Sequence, residues 1–229
     1  MRRSVTRWGF ALAATAFLGV VAGCGSSKYE YVSNSAEHTY FRVPSTWQRL
    51  DDNEIQRALT NGDPSSLEEA SAEATKWVVA YDAARSPSLA HLKLDSVPDA
   101  PVVLAEVKKL TSDEGGKASL DTMRDTLFPV SKDSQEQAKR LLAQQGSVYK
   151  VEVLADQVLT PTGGIHGVRT AYNVKFGSLP LQTVDLLAYV SDDSATMYSL
   201  IVRCSTQCYL ANFDEIDKAV KSFTVKDSG

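Results

Sequence analysis

Hydrophobic and polar residues alternate most cleanly between Gly167 and Phe176. Val168, Thr170, Tyr172, Val174 and Phe176 fall on one face, with Arg169, Asn173 and Lys175 on the other. That period of two is the signature of a half-buried antiparallel strand. A strand is also predicted from Val148 to Thr160, with Tyr149, Val151 and Val153 on one face; Pro161-Thr162-Gly163-Gly164 turns the chain between the two. Thr183 to Val190 and Thr196 to Arg203 make a second hairpin across Ser191-Asp192-Asp193-Ser194. Nearer the start, Tyr40 to Val43 is a short strand stopped by Pro44, and Trp47 lies in a second short extended piece. Thr75 to Asp82 places Trp77, Val79 and Tyr81 on one face. Pro101 to Leu110 is assigned to a strand because Val102, Val103 and Val107 are β-branched.

Helical spacing appears elsewhere. Glu54 to Thr60 carries Ile55, Ala58 and Leu59 and ends at Asn61-Gly62, and Leu67 to Ala74 follows Asp63-Pro64. Leu120 to Phe128 is capped by Ser119 and stopped by Pro129. Gln135 to Gln145 has Ser134 and Gln137 as a capping box and Gly146 as its stop. A last helix starts near Asn212, with Glu215 at its third position and Phe213, Ile216, Ala219, Val220 and Phe223 as its buried stripe. Ala83 to Ala100, rich in Ser, Pro and Asp, reads as a connecting loop docked through Leu89 and Leu92. Clustered antiparallel strands with helices at either end give an α+β class, an antiparallel β-sheet flanked by α-helices.

The first 24 residues obey a different logic. Arg2, Arg3 and Arg7 precede a 13-residue apolar run from Gly9 to Val21, and Val21-Ala22-Gly23-Cys24 closes the segment. As a helix the run spans roughly 20 Å, short of the ~30 Å hydrocarbon core. This is the layout of a cleaved signal, and the final tetrapeptide resembles a bacterial lipobox. The resemblance implies diacylglyceryl transfer to the Cys24 sulfur and cleavage before it, so that residues 1–23 are the signal peptide. Acylation at Cys24 anchors the mature chain to the cell membrane on its extracytoplasmic face, because two or more chains hold where one does not. Arg2-Arg3 invites a twin-arginine export reading, although Ser4-Val5-Thr6 replaces the usual hydrophobic pair; Sec and Tat export both stay open. From Gly25 to about Glu37 the chain is polar and rich in small residues. Residues 24–37 are therefore expected to form the lipidated N-terminus and a tether, the latter about 12 residues from Gly25 with a reach of roughly 40 Å. Residues 38–229 are expected to form one domain.

Excising residues 1–23 leaves 206 of the 229 residues, enough for one full-sized core. The net charge of −4 becomes −7 once Arg2, Arg3 and Arg7 are gone. An acidic exported chain lacks the basic surface that nucleic acid requires, and its overall charge is equally unsuited to anionic lipid head groups. With Cys24 lipidated, Cys204 and Cys208 remain, and an even pair in an oxidising compartment reads as a disulfide. Metal binding is the rival, but His38, His91 and His166 are isolated and no second cysteine pair completes a zinc site.

Recognisable chemistry is sparse. G-x-S-x-G, a Walker A loop, G-x-G-x-x-G and H-E-x-x-H are all absent. Gly163-Gly164-Ile165-His166-Gly167 joins two strands rather than opening a helix, so it lacks a phosphate-cradle context. Its functional reading would use His166 and Arg169 as anion contacts for a ligand or partner. Asp51-Asp52, Asp113-Glu114 and Asp192-Asp193 fit helix starts and turns, with a weak calcium site at Asp192-Asp193 as the alternative. No catalytic residue, cofactor or metal is assigned.

The order of elements, with F-x-V-P-x-x-W (Phe41, Val43, Pro44, Trp47) near the start and the closing helix before Ser222-Phe223-Thr224-Val225, resembles the PsbP-like family. That group includes the LpqN-type lipoproteins of mycobacteria. Arg203-Cys204-Ser205-Thr206-Gln207-Cys208-Tyr209 also looks like lipoproteins of actinobacteria. The resemblance implies an antiparallel sheet with helices packed on its faces and a non-enzymatic role, without carrying over a ligand. The resulting expectation is a non-catalytic binding or scaffold module of the cell envelope, whose partner is an envelope protein or small ligand. A carrier of an apolar ligand and an envelope hydrolase assembled only by the fold are the rivals.

Overall fold

A computed structural model describes residues 27–59, 74–161 and 164–226. Cys24 and the signal segment, residues 67–73 of the expected second helix, and Thr162 and Gly163 of the hairpin turn lie outside the described residues.

Seven strands form the main sheet, every neighbouring pair antiparallel. They are β3 (Gln48–Arg49), β4 (Thr75–Asp82), β5 (Val102–Lys109), β6 (Tyr149–Leu159), β7 (Ile165–Phe176), β8 (Gln182–Ser191) and β9 (Thr196–Ser205). Their spatial order is β3-β4-β5-β9-β8-β7-β6. A small sheet pairs β1 (Tyr29–Asn34), β2 (Thr39–Pro44) and β10 (Thr224–Val225) in the order β1-β2-β10. The helices are α1 (Asp52–Leu59), α2 (Ser112–Gly116), α3 (Leu120–Arg124), α4 (Lys132–Gln144), α5 (Thr206–Ala211) and α6 (Phe213–Lys221). A 3-10 turn spans Leu89–Leu92. The α+β class expected from the sequence is the class observed.

Strand parity divides the core. On one face Val168, Tyr172, Val174, Val184, Leu186, Ala188 and Ile201 pack with Met123, Phe128 and Val130 of the α3–α4 region. On the other, Val79, Tyr81, Val103, Leu187, Leu200 and Val202 pack with Val32, Phe41 and Val43 of the small sheet and Ile216, Val220 and Phe223. Each buried Val, Leu, Ile, Phe or Met among them is worth about 1.5–3 kcal/mol. This double cover explains why β7 is not half-buried as its alternation suggested: Ala171 and Asn173, on the supposed polar face, are buried as well.

Four further segments differ from the expectation. Residues 29–34 are not tether. They form β1, an edge strand whose one buried position is Val32; Glu30, on the same side by parity but exposed, accepts a hydrogen bond from the Tyr81 hydroxyl at 2.7 Å, so a carboxylate interrupts the apolar alternation and masks the strand pattern. Leu120 to Phe128 is helical only to Arg124, after which Asp125 accepts the Val130 and Ser131 amides and bends the chain. The next helix starts at Lys132, with Ser131 rather than Ser134 at its cap, and stops at Gly146 in the left-handed region. The closing helix starts after Asn212 as expected, but a separate helix, α5, precedes it. The buried stripe of α6 is Ile216, Ala219 and Val220, and Phe223 beyond it is also buried, while Phe213 stands 48% exposed.

Candidate functional site

The break at Asn212 creates the most distinctive surface of the domain. α5 and the start of α6 stand above β6 and β7, leaving a cleft of about 510 Å³. Ala155, Gln157, Arg169, Ala171, Asn173 and Thr183 make its floor, and Thr206, Tyr209, Leu210, Phe213 and Asp217 its helical wall. Ala155, Ala171 and Asn173 reach one face together because a register shift between Val153 and Ala155 reverses the parity of β6. Leu154, at that shift, closes the outer rim.

Leu154, Leu210 and Phe213 are 49%, 72% and 48% exposed. Such aliphatic and aromatic groups gathered around one concavity are the usual mark of a binding surface. Phe213 is held edge-to-face on Tyr209, ring centres 5.9 Å apart. Val153 and Val158 are also exposed on β6, an edge strand of the main sheet, but they pair with Tyr172 and Val168 and so lie on the face opposite the cleft.

Beneath the apolar rim lies a closed polar network. Arg169 donates from Nε and Nη2 to the two oxygens of Asp185, at 3.0 and 2.7 Å, and from Nη1 to Asp217 at 2.9 Å. Asp185 is fully buried and also accepts from the Tyr209 hydroxyl at 2.9 Å. Lys221 completes the set, 2.7 Å from Asp217. Burial opposes the Arg169 charge, but the hydrogen bonds and charges of Asp185 and then Asp217 outweigh it, and its pKa lies above the ordinary arginine value. Burial likewise raises the Asp217 carboxyl, yet the bonds from Lys221 and Arg169 win and hold it below the usual range. The Tyr209 hydroxyl is pushed up by burial and by Asp185. Two cations thus meet two carboxylates, and the floor offers no free charge to a ligand.

His166 and Arg169, paired in the sequence reading as anion contacts, do not converge. Three residues apart on a strand, they lie on opposite faces of β7. Arg169 faces the cleft, while His166 sits at the hairpin end with Nδ1 3.9 Å from an Asp192 oxygen. Asp185, Tyr209 and Asp217 escaped the sequence reading. The available signal was Asp185 itself, a carboxylate inside the apolar run Val184 to Val190 that needed a cation from a neighbouring strand.

Two other groups bear on chemistry. Asp82, fully buried, accepts the Ala84 and Ser88 amides and lies 2.7 Å from His91 Nδ1. A carboxylate orienting a histidine is half of a hydrolytic triad, yet among the described residues no serine, threonine or cysteine side chain hydrogen-bonds to that ring. Beside it, buried Arg203 donates to the backbone oxygens of His91, Lys93 and Ser96 and to Gln182 Oε1, and burial pushes its pKa down to about 10. Both groups fasten the 83–100 loop to the sheet. Cys204 and Cys208 are disulfide-bonded with Cα atoms 5.9 Å apart, tying the end of β9 to α5. Among the described residues no three His, Cys, Asp or Glu side chains gather as a metal site.

No family model and no curated protein matches the chain. Among solved structures, it is similar to cyanobacterial PsbP (CyanoP) from Synechocystis sp. PCC 6803, at 15% identity and a TM-score of 0.46 over 91% of this chain and 99% of that one. It is also similar to the Ran-binding protein Mog1p of Saccharomyces cerevisiae, at 11% identity and a TM-score of 0.40 over 87% and 96%, and to protein PA94 of Pseudomonas aeruginosa, at 6% identity and a TM-score of 0.38 over 88% and 100%.

Proposed function

We propose that the chain is a membrane-anchored, extracytoplasmic lipoprotein whose domain is a non-catalytic binding module, and that the cleft between β6–β7 and α5–α6 is its recognition surface. One observation carries the second half: exposed Leu154, Leu210 and Phe213 surround a concavity whose floor charges are already paired with one another. Such a site selects an apolar group rather than an anion. The occupant is an apolar side chain or short segment of an envelope protein. A small apolar ligand is the second reading, favoured by a volume within the ~300–1,000 Å³ of ligand pockets. The Asp82–His91 pair, without a bonded nucleophile, gives the hydrolase reading no comparable support.

Anchoring rests on the Arg-rich start, the 13-residue apolar run and Cys24. The Cys204–Cys208 disulfide is what an oxidising compartment allows. No helix among the described residues is long and apolar enough to cross a membrane. Cys24→Ser is expected to abolish acylation and release the protein from the membrane fraction. Affinity purification of the native lipidated form should enrich an envelope protein, and Leu210→Asp with Phe213→Asp should lower that enrichment about tenfold or more, as removal of a central apolar anchor does. Unchanged enrichment would remove the cleft from the account. A lipid or small molecule co-extracted with wild type and lost from the variant would select the carrier reading.

A further inference from the structure

The small sheet turns one face to the core and one to solvent, and the outer face has a composition unlike the rest of this acidic chain. In the β1–β2 register Tyr29 lies opposite Pro44, Tyr31 opposite Arg42 and Ser33 opposite Tyr40, and Thr224 of β10 lies on the other side of Tyr40. Tyr31 is 73% exposed. The Arg42 guanidinium sits 4.5 Å from the centre of the Tyr29 ring, Lys28 Nζ 5.7 Å from the same ring, and Lys226 Nζ 4.8 Å from that of Tyr40. The one acidic residue within β1, β2 and β10, Glu30, is exposed but belongs by parity to the opposite face, where it accepts a hydrogen bond from the Tyr81 hydroxyl. The outer face is therefore three tyrosines interleaved with three cations, with no carboxylate at any outward strand position. Amphipathic rings beside cations suit the headgroup layer of a bilayer.

Position along the chain makes the occupant specific. Cys24 precedes Tyr29 by five residues, at most about 18 Å of fully extended chain, whereas a domain of this size is about 40 Å across. A lipid on Cys24 therefore holds the start of β1 at the membrane and leaves little choice of which surface meets it. We propose that the outer face of the β1–β2–β10 sheet lies against an anionic membrane surface, with Tyr29, Tyr31 and Tyr40 at headgroup level and Lys28, Arg42 and Lys226 facing lipid phosphates. This rests on the anchoring reading above. The arrangement makes the domain a docked body rather than one swinging on a long tether, and it orients the cleft relative to the bilayer. The net charge of −7 conceals the patch, since none of the outward positions of this sheet is acidic.

Tryptophan quenching tests it on the full mature protein. Tyr31→Trp, and as a control Leu141→Trp on α4 across the main sheet, are reconstituted in phosphatidylcholine–phosphatidylglycerol vesicles whose acyl chains are brominated near the headgroup. Emission from Tyr31→Trp should be quenched and that from Leu141→Trp should not. Quenching should fall when Arg42→Glu and Lys226→Glu are added, when phosphatidylglycerol is omitted, or in high salt, the attraction weakening about fivefold for each cation removed. Equal quenching at the two positions, or quenching indifferent to both charge and salt, would overturn the proposal. Flotation with the vesicles and the mass of the N-terminal peptide read the anchor separately. Should that peptide carry no acyl mass, the anchoring reading fails alone. The face is then judged by the same protein mixed with excess vesicles: quenching of Tyr31→Trp on anionic vesicles only supports it, and none on either kind overturns it.

Discussion

Gly167→Ala is expected to destabilise the domain by about 3 kcal/mol, toward the upper end of overpacking effects. Gly167 lies opposite Tyr189 in the β7–β8 pair. A Cβ at this position would stand 2.1 Å from the Ala188 carbonyl oxygen and 2.5 Å from Tyr189 Cδ1. The first atom is backbone of the adjacent strand and cannot withdraw without opening the ladder. The second belongs to a ring stacked on Phe223, planes 8° apart, so it has nowhere to turn. Gly116→Ala is the control: nothing lies within 4 Å of its Cβ site, and in a helix alanine should be neutral or better by up to about 1 kcal/mol. Urea unfolding of the two variants measures the difference. A shift below about 0.5 kcal/mol for Gly167→Ala would mean that β7 and β8 do not approach as described.

Arg169→Met should cost a similar amount, about 3 kcal/mol at neutral pH, for a different reason. It leaves Asp185 fully buried with the Tyr209 hydroxyl as its remaining side-chain donor, and an uncompensated buried carboxylate is more costly than a missing pair. The sign of the pH dependence follows. Asp217 is held below the usual carboxylate range by Lys221 and Arg169, so it contributes stability that is present above its unfolded pKa and lost as pH falls through the folded one. The variant forgoes the Arg169 share of that contribution, a share the wild type itself loses on acidification. The loss relative to wild type should therefore narrow at low pH, and Arg169→Met with Asp185→Asn should recover much of it. A loss under about 1 kcal/mol, independent of pH, would contradict the assignment of Arg169–Asp185 as a buried pair.

These two sites show what could be read in the sequence and what could not. The alternation of Val168, Thr170, Tyr172 and Val174 located β7 because a packed face enforces a period of two. It was silent about the second cover, which α5, α6 and the small sheet supply from distant parts of the chain. β1 carries no apolar alternation because Val32 is its one buried position, and the Tyr81 hydroxyl that accommodates Glu30 lies 51 residues away. Phe213 was assigned to the core because it sits three residues before Ile216 on the same helical face. The helix begins there, however, and its first turn overhangs the cleft while Ile216 reaches the sheet. Arg169 is legible as a polar position on β7, but pairing it with His166 overlooks strand parity, which places residues three apart on opposite faces. The cleft itself depends on a register shift at Val153–Ala155 and a helix break at Asn212, neither marked by glycine or proline.

The central claim, that the cleft rim is where this domain meets its partner, is tested most directly by site-specific photo-crosslinking in intact cells. A photoreactive phenylalanine analogue replaces Phe213 in the full-length protein, and in a second strain Leu141, which is comparably exposed on α4. The account predicts one discrete, reproducible adduct from position 213, absent at 141 and lost when Leu210→Asp is added. The same set of adducts from both positions, or none from 213, would contradict it.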